Sequence, residues 1–274
     1  MTTFTSISVG TLARTVGVSR APVLVDVRTD DTFATDPRLI PGSIRRDADH
    51  VATWGKDLAG RHVVCICRQG QKLSQGAAAW LRQDGTNAVH LSGGFEGWRD
   101  AGQLLTKSEP IPKWDVQGRT VWVTRERPKV DRIACPWLVR RFIDPNAVFL
   151  FVAAPEVPAV AERFAATPFD IEGVYWSHRG DTCTFDTMLT AFGLQSTTLD
   201  RLATIVRGAD TARPDLAPQA PGLLAISLGL SQLIDDDLKQ LEAGLLIYDA
   251  LYLWCRDGSE ETHNWPSKTT GATP

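Results

Sequence analysis

Apolar and polar positions change rhythm along this chain. Up to about residue 100, short uninterrupted apolar runs alternate with stretches of helical character. Val23–Val27, the run Val63-Val64-Cys65-Ile66 and Ala88–His90 read as strands, and Val9–Val16, Ala77–Leu81 and Phe95–Ala101 read as helices. A strand without polar interruption is one covered on both faces, and strands alternating with helices predict a parallel sheet with helical layers on both sides. Trp80 and Trp98 are expected as core anchors. Leu105–Arg119 then carries Pro110, Pro112 and several charges with no period, so 106–119 reads as a linker between domains at 1–105 and 120–258. Beyond it, Thr120–Thr124 and Val148–Val152 predict strands, Pro155–Ala165 a helix, and Pro168–Asp170 a further extended piece. The rest is mostly helical: Phe185–Phe192, Thr197–Arg207 stopped by Gly208, Gly222–Ile234, and Asp235–Arg256 stopped by Gly258. The last of these puts Leu238, Leu241, Leu245, Tyr248, Tyr252 and Cys255 on one face. The expected fold is an α/β parallel-sheet domain followed by a mainly helical α+β domain, with a polar tail over 259–274 that frays.

Composition narrows the function without naming it. A hydrophobic content of 43% with 22% charged residues is that of a globular protein, and a net charge of −3 with pI near 6.0 supplies no electrostatic footprint for nucleic acid. The pair Arg140-Arg141 reads as a solvated helix edge. Met1–Gly17 lacks a basic segment followed by an apolar core, and no apolar run reaches spanning length, so neither secretion nor a membrane is expected and the cytoplasm is. Cys65, Cys67, Cys135, Cys183 and Cys255 are too scattered for a disulfide framework or paired zinc thiols. They are expected to be reduced.

The candidate chemistry lies between the buried strand ending at Ile66 and the following helix, in the loop Cys67-Arg68-Gln69-Gly70-Gln71-Lys72. Such a loop offers backbone N–H groups and the positive end of a helix dipole, a setting that suits a nucleophilic cysteine and a bound anion. Arg68 and Lys72 add positive charge. Cys65 points to the same side of the strand two residues earlier and reads as a small buried side chain rather than a resolving thiol. Asp26 and Arg28 end the preceding strand; they either contact the loop or tie neighbouring loops together.

Four ordered motifs in this half resemble the rhodanese, or sulfurtransferase, family: Val23-Leu-Val-Asp26-Val-Arg28, Ile40-Pro41-Gly42-Ser43-Ile44, the six-residue loop with Cys67 first and Gly70 fourth, and Leu91-Ser-Gly93-Gly94-Phe-Glu-Gly-Trp98. The resemblance implies a parallel-sheet fold, Cys67 as a persulfide-forming nucleophile, no cofactor, and a small anionic sulfur donor such as thiosulfate. Leu39 stands where many members have histidine, and Lys72-Leu73 replaces a common Arg-Ser, which leaves the donor and acceptor open.

The second half has its own polar signature. Arg127–Asp144, including Asp131, Arg132 and Cys135, and His178–Asp186 are too polar for packing alone, and Val206–Asp210, Ala220–Ile226 and Tyr248–Tyr252 continue the pattern. These stretches resemble the C-terminal domain of the chromate-resistance (ChrB-type) family. The resemblance implies an association with chromate resistance but supplies no molecular activity. By residue chemistry, His178, Asp181, Cys183 and Asp186, with Asp170 and Glu172 upstream, suit a hard or borderline divalent ion. The alternative makes Asp181 a helix N-cap, His178 a loop histidine and Cys183 a core thiol. Asp131 and Cys135 share a helix face if the helix begins before Pro136. Asp235-Asp236-Asp237 reads as a helix cap rather than a metal cluster. A cation is expected at the acidic loop, whereas chromate, a dianion, would be held by Lys129, Arg132, Arg140 and Arg141. The leading expectation is sulfur transfer through Cys67 in tolerance to chromate or oxidative stress. The other readings are a non-catalytic chromate or metal sensor, and a cysteine-based oxyanion reductase.

Overall fold

The computed structural model describes residues 5–261; the expected fraying of the tail falls on 262–274, outside the described residues. In chain order the first half contains β1 (Ser6–Ile7), α1 (Val9–Ala13), β2 (Val23–Asp26), α2 (Asp30–Thr35), β3 (Arg38–Leu39), β4 (Ser43–Arg45), α3 (Val51–Trp54), β5 (His62–Ile66), α4 (Lys72–Gln83), β6 (Asn87–Leu91), α5 (Gly94–Asp100) and β7 (Thr106–Lys107). A five-stranded parallel sheet runs in the order β1-β6-β5-β2-β4. On β5, Val63 and Cys65 pack with Ala77, Ala78 and Leu81 of α4, while Val64 and Ile66 join Leu12, Leu24 and Trp98 on the opposite face. Both faces of the pleat are covered, which is why the strand is apolar throughout. Trp98 is buried, as expected. Trp80 is not: α4 turns Ala77, Ala78 and Leu81 inward, and Trp80 stands 51% exposed on the outer face.

The second half contains β8 (Val121–Arg125), α6 (Asp131–Leu138), β9 (Val148–Val152), α7 (Val157–Phe164), β10 (Thr167–Pro168), α8 (Thr184–Phe192), α9 (Thr197–Asp210), α10 (Ala220–Leu233) and α11 (Asp237–Leu253). A small parallel sheet, β10-β8-β9, is flanked by these helices, so the expected α/β and mainly helical α+β parts are both present. Several details differ from expectation, each for a physical reason. Helix α9 runs through Gly208 to Asp210, because this glycine serves packing rather than termination: a Cβ there would lie 2.9 Å from Ala220 Cβ and 3.0 Å from Arg213 O. The start of α6, open in the sequence, is Asp131, so Pro136 sits inside the helix and Asp131 and Cys135 share a face. On α11, Leu241, Leu245, Tyr248 and Tyr252 are buried, as is Cys255 in the turn just after it, but Leu238 is exposed. Arg140 and Arg141 are not a solvated edge, since Arg141 binds Asp249 at 2.8 and 2.9 Å and Arg140 reaches Glu242 at 2.5 Å, both across to α11. Asp236 caps α11 by accepting from Lys239 N–H, and Asp237 accepts from Arg127 N–H. Asp236 therefore has the capping role that the sequence implies, while Asp235 and Asp237 face Arg127.

The halves share one apolar core that extends from Leu12 and Ile40 to Phe142 and Tyr252. A Cβ at Gly17 would lie 2.6 Å from Phe142 Cζ and 2.9 Å from Tyr252 Cε1, so the loop after α1 rests directly on these rings. The Phe142 carbonyl accepts from both Gly42 N–H at 2.8 Å and Thr106 Oγ1 at 3.1 Å. Segment 106–119 is structured: β7 pairs antiparallel with β3, and Asp115 accepts from the Gln117 and Arg119 amides and from the Arg119 guanidinium. Among the described residues no helix is long and apolar enough to cross a membrane.

Candidate functional site

Cys67 follows β5 directly, at the carboxyl edge of the sheet where parallel α/β sheets place their ligands. Its Sγ accepts from the Gln71 N–H at 3.3 Å and stands 3.1 Å from Ser74 Oγ, at the start of α4. The loop closes tightly against the start of α5. Phe95 N–H donates to Cys67 O and Glu96 N–H to Arg68 O, both at 2.9 Å. That approach requires glycines: Gly70 (φ +70°) has Leu91 O only 2.3 Å from where a Cβ would be, and Gly94 (φ +58°) has Cys67 O at 2.3 Å. The Glu96 carboxylate receives Arg68 Nε at 2.6 Å and Gln69 Nε2 at 2.9 Å. Arg68 is thereby engaged, while Lys72 has no ion-pair partner among the described residues.

Asp26 and Arg28 form a buried pair, with Arg28 Nε at 3.0 and 2.9 Å from the two carboxylate oxygens. Arg28 also donates to Asp36 O and Arg38 O, and its guanidinium lies 3.8 Å from the centre of the Phe95 ring. The pair thus braces α5, which in turn braces the cysteine loop. Cys65 is fully buried, and desolvation pushes its thiol up to about 12. It is a packing residue in this geometry. A groove of about 390 Å³ lined by Arg28, Arg45, Arg46, Asp47 and Leu73 opens over the same strand ends.

In the second half the structure regroups the candidates. His178 Nε2 lies 3.1 Å from Asp210 Oδ2, 3.4 Å from Asp170 Oδ1 and 3.6 Å from Asp131 Oδ2. Asp131 opens α6, Asp170 (φ +52°) follows β10, and Asp210 ends α9. Burial first, then the charges of Asp210 and Asp170, push the Asp131 carboxyl well above the ordinary range, and burial with Asp170 raises Asp210. His178 is pushed up to about 9, chiefly by its hydrogen bond with Asp170 and then by the Asp131 and Asp210 charges. Asp181, expected beside His178, is exposed on the turn between Arg179 and Thr182. Cys183, rather than Asp181, is the N-cap of α8; its N–H donates to Asp186 Oδ2 at 3.0 Å, and Asp186 also meets Arg207 at 3.3 Å. Arg132 stands behind Asp170, its Nε 3.4 Å from Oδ2. Cys135 is buried one turn along α6 from Asp131, and burial with the Asp131 charge raises both the Cys135 and Cys183 thiols.

Set against known protein families, residues 12–101 match the rhodanese-like domain and residues 122–255 match ChrB, C-terminal domain. The chain joins a rhodanese-like domain to a ChrB C-terminal domain. Protein ChrB of Cupriavidus metallidurans is 35% identical over 169 residues, a match covering 57% of this chain and 50% of that protein. The chain thus spans about half the length of this curated relative. Solved structures similar to the rhodanese-like part include a rhodanese-related protein of Thermoplasma volcanium, at 25% identity and TM-score 0.33, covering 37% of this chain and 97% of that one. Another is a protein of unknown function from Rhodopseudomonas palustris described as a possible tyrosine phosphatase, with the same identity, TM-score and share of this chain, and 84% of its own.

Within the ChrB C-terminal domain, sequence reasoning placed Asp170 with His178 but missed that Asp131 and Asp210 join them. The only signal for it was that these residues sit in polar stretches of an otherwise apolar half. Within the rhodanese-like domain, Glu96 and Ser74 were the unanticipated contacts of the loop, and neither has a spacing from Cys67 that marks it.

Proposed function

We propose that the chain is a sulfurtransferase that carries a persulfide on Cys67 and serves tolerance to chromate or oxidative stress. The observation that carries this reading is the position of Cys67 Sγ at the carboxyl end of β5, within 3.3 Å of the Gln71 N–H and 3.1 Å of Ser74 Oγ, in a loop clamped by α5. The Cys67 thiolate attacks the outer sulfur of thiosulfate, a new S–S bond forms, and sulfite leaves with the electron pair of the broken one. An acceptor thiolate or cyanide then takes the outer sulfur and restores the Cys67 thiolate. The Gln71 amide stabilises negative charge on sulfur at each stage. Lys72, with no ion-pair partner among the described residues while Arg68 is held by Glu96, is the cation for the anionic donor. None of these steps draws on a metal. All five cysteines are free, which fits a reducing compartment such as the cytoplasm.

A non-catalytic sensor is favoured by two observations: Cys67 is only 5% exposed and Arg68 is engaged. Mass spectrometry after incubation with thiosulfate separates the two. Added sulfur on Cys67, and loss of thiocyanate production from cyanide in Cys67→Ser with the fold intact, support transfer. Full activity in Cys67→Ser overturns the assignment, and an unmodified, inactive wild type supports the sensor.

A further inference from the structure

The ChrB C-terminal domain contains a polar arrangement that packing does not account for. Asp131 is completely buried, and its Oδ1 has no hydrogen-bond partner. Its other oxygen is well supplied, accepting from Thr184 N–H at 2.5 Å and Phe185 N–H at 3.4 Å. Of the neighbouring carboxylates, Asp210 is held through one oxygen, whereas both oxygens of Asp170 have polar neighbours. Asp210 Oδ1 accepts from Asp131 N–H, leaving Oδ2 towards His178. Asp170 Oδ1 accepts from Thr184 Oγ1, and Arg132 and Arg125 approach its Oδ2.

An imidazolium does not resolve this cluster. The single Nε2–H of His178 points along one direction, and three carboxylates lie within 3.1–3.6 Å of that nitrogen. One proton serves one good hydrogen bond. Two carboxylates, one of them wholly buried, keep their mutual repulsion, and an unpaired buried oxygen is among the costlier features a fold can retain.

We propose that Asp131, Asp170 and His178, with Asp210 beside them, bind a divalent first-row cation of the Mn²⁺ or Fe²⁺ class. Among the described residues, ligand atoms of Asp131, Asp170 and His178 all lie within 4.8 Å of one another. With bonds of about 2.0–2.2 Å, adjacent ligands of a tetrahedral or octahedral ion stand roughly 3.0–3.5 Å apart, close to the spacings around His178 Nε2. The ligands choose the class of ion. Carboxylates favour hard cations and one imidazole moves the preference towards Mn²⁺ and Fe²⁺, while a calcium site would need more oxygens. Among the described residues, the sulfurs of Cys135 and Cys183 are not part of the group of ligand atoms that gathers here, so the donor set is oxygen and nitrogen. The outer contacts to Thr184, Phe185 and Arg132 orient the carboxylates as supporting shells do around metals. His178 is 41% exposed and borders an open groove of about 660 Å³ shared with Arg125, Asp170 and Glu172, which gives the ion a route in from solvent.

The test uses the full chain, stripped with chelator and titrated with Mn²⁺ while the free Mn²⁺ electron paramagnetic resonance signal is followed. The expected result is about one ion bound per chain, with affinity reduced about 100-fold or more in His178→Ala and in Asp170→Asn. Melting should rise with Mn²⁺ in the wild type and not in Asp131→Asn, since a ligand that binds only the native state stabilises it. If Asp131→Asn does not fold, His178→Ala, altered at a half-exposed side chain, still decides. A wild type that binds neither Mn²⁺ nor Fe²⁺, or variants that bind as tightly as wild type, would overturn the proposal.

Discussion

One added methyl group should have opposite effects at two glycines of the rhodanese-like domain, and the contrast tests whether the cysteine loop is held as described. Gly76 lies on the exposed side of α4, in helical conformation, and a Cβ added there would have nothing within 4 Å. Gly76→Ala gains helix propensity and loses unfolded-chain entropy, so it should stabilise by about 1 kcal/mol. For a chain of this size that is a rise of roughly 2–4 °C in Tm. Gly94 is different in both backbone and surroundings. Its φ of +58° costs an alanine about 1–2 kcal/mol. A Cβ would also meet Cys67 O at 2.3 Å, Gly70 N at 2.4 Å and Arg68 O at 2.8 Å, all backbone atoms of the loop and none able to swing away. Relieving these contacts pushes the loop off α5 and breaks the Phe95-to-Cys67 hydrogen bond. Gly94→Ala should therefore destabilise by about 3 kcal/mol in total, a fall of roughly 6–12 °C. It should also abolish thiosulfate-dependent persulfide formation on Cys67. Differential scanning calorimetry and mass spectrometry read the two effects separately. If Gly94→Ala melts within about 1 °C of wild type, the clamp between loop and α5 does not exist as described.

Two further outcomes follow from the same structure. Native protein treated with iodoacetamide at pH 9 should be alkylated at Cys67 well before Cys65, because burial raises the Cys65 thiol to about 12 and keeps it neutral over that range; peptide mapping that finds Cys65 modified as fast as Cys67 would contradict this. Mild trypsin should cut first after Lys113, which is exposed, rather than after Lys107, which is paired in β7. The fragments should still elute together in size exclusion, because Phe142 and Tyr252 pack beneath the loop of Gly17 and the Phe142 carbonyl holds Gly42 and Thr106; two fragments that separate freely would show that the halves do not share a core.

What the sequence determined by itself is mostly what short-range geometry dictates. The apolar run through Val63–Ile66 implies a strand covered on both faces because side chains alternate across a pleat, whatever the neighbours are. The loop from Cys67 to Lys72 is legible for a similar reason, since its glycine and its position between strand and helix are local requirements. Capping is local too, and Asp236 does what an acidic residue at a helix start does. Tertiary structure decided everything that depends on which surfaces meet. Trp80 faces solvent because three other residues of α4 fill the inner face, and Gly208 stays helical because α10 needs its missing side chain. Arg140 and Arg141 look like a solvated pair until α11 brings Glu242 and Asp249 to them. The carboxylates around His178 come from the start of α6, the loop after β10 and the end of α9, so no spacing along the chain encodes their approach. The nearer acidic candidates, Asp181 and Asp186, are neighbours only in sequence: one points into solvent and the other caps its own helix. Charges converge on a point in space through packing of remote elements, and a linear pattern records the elements but not their meeting.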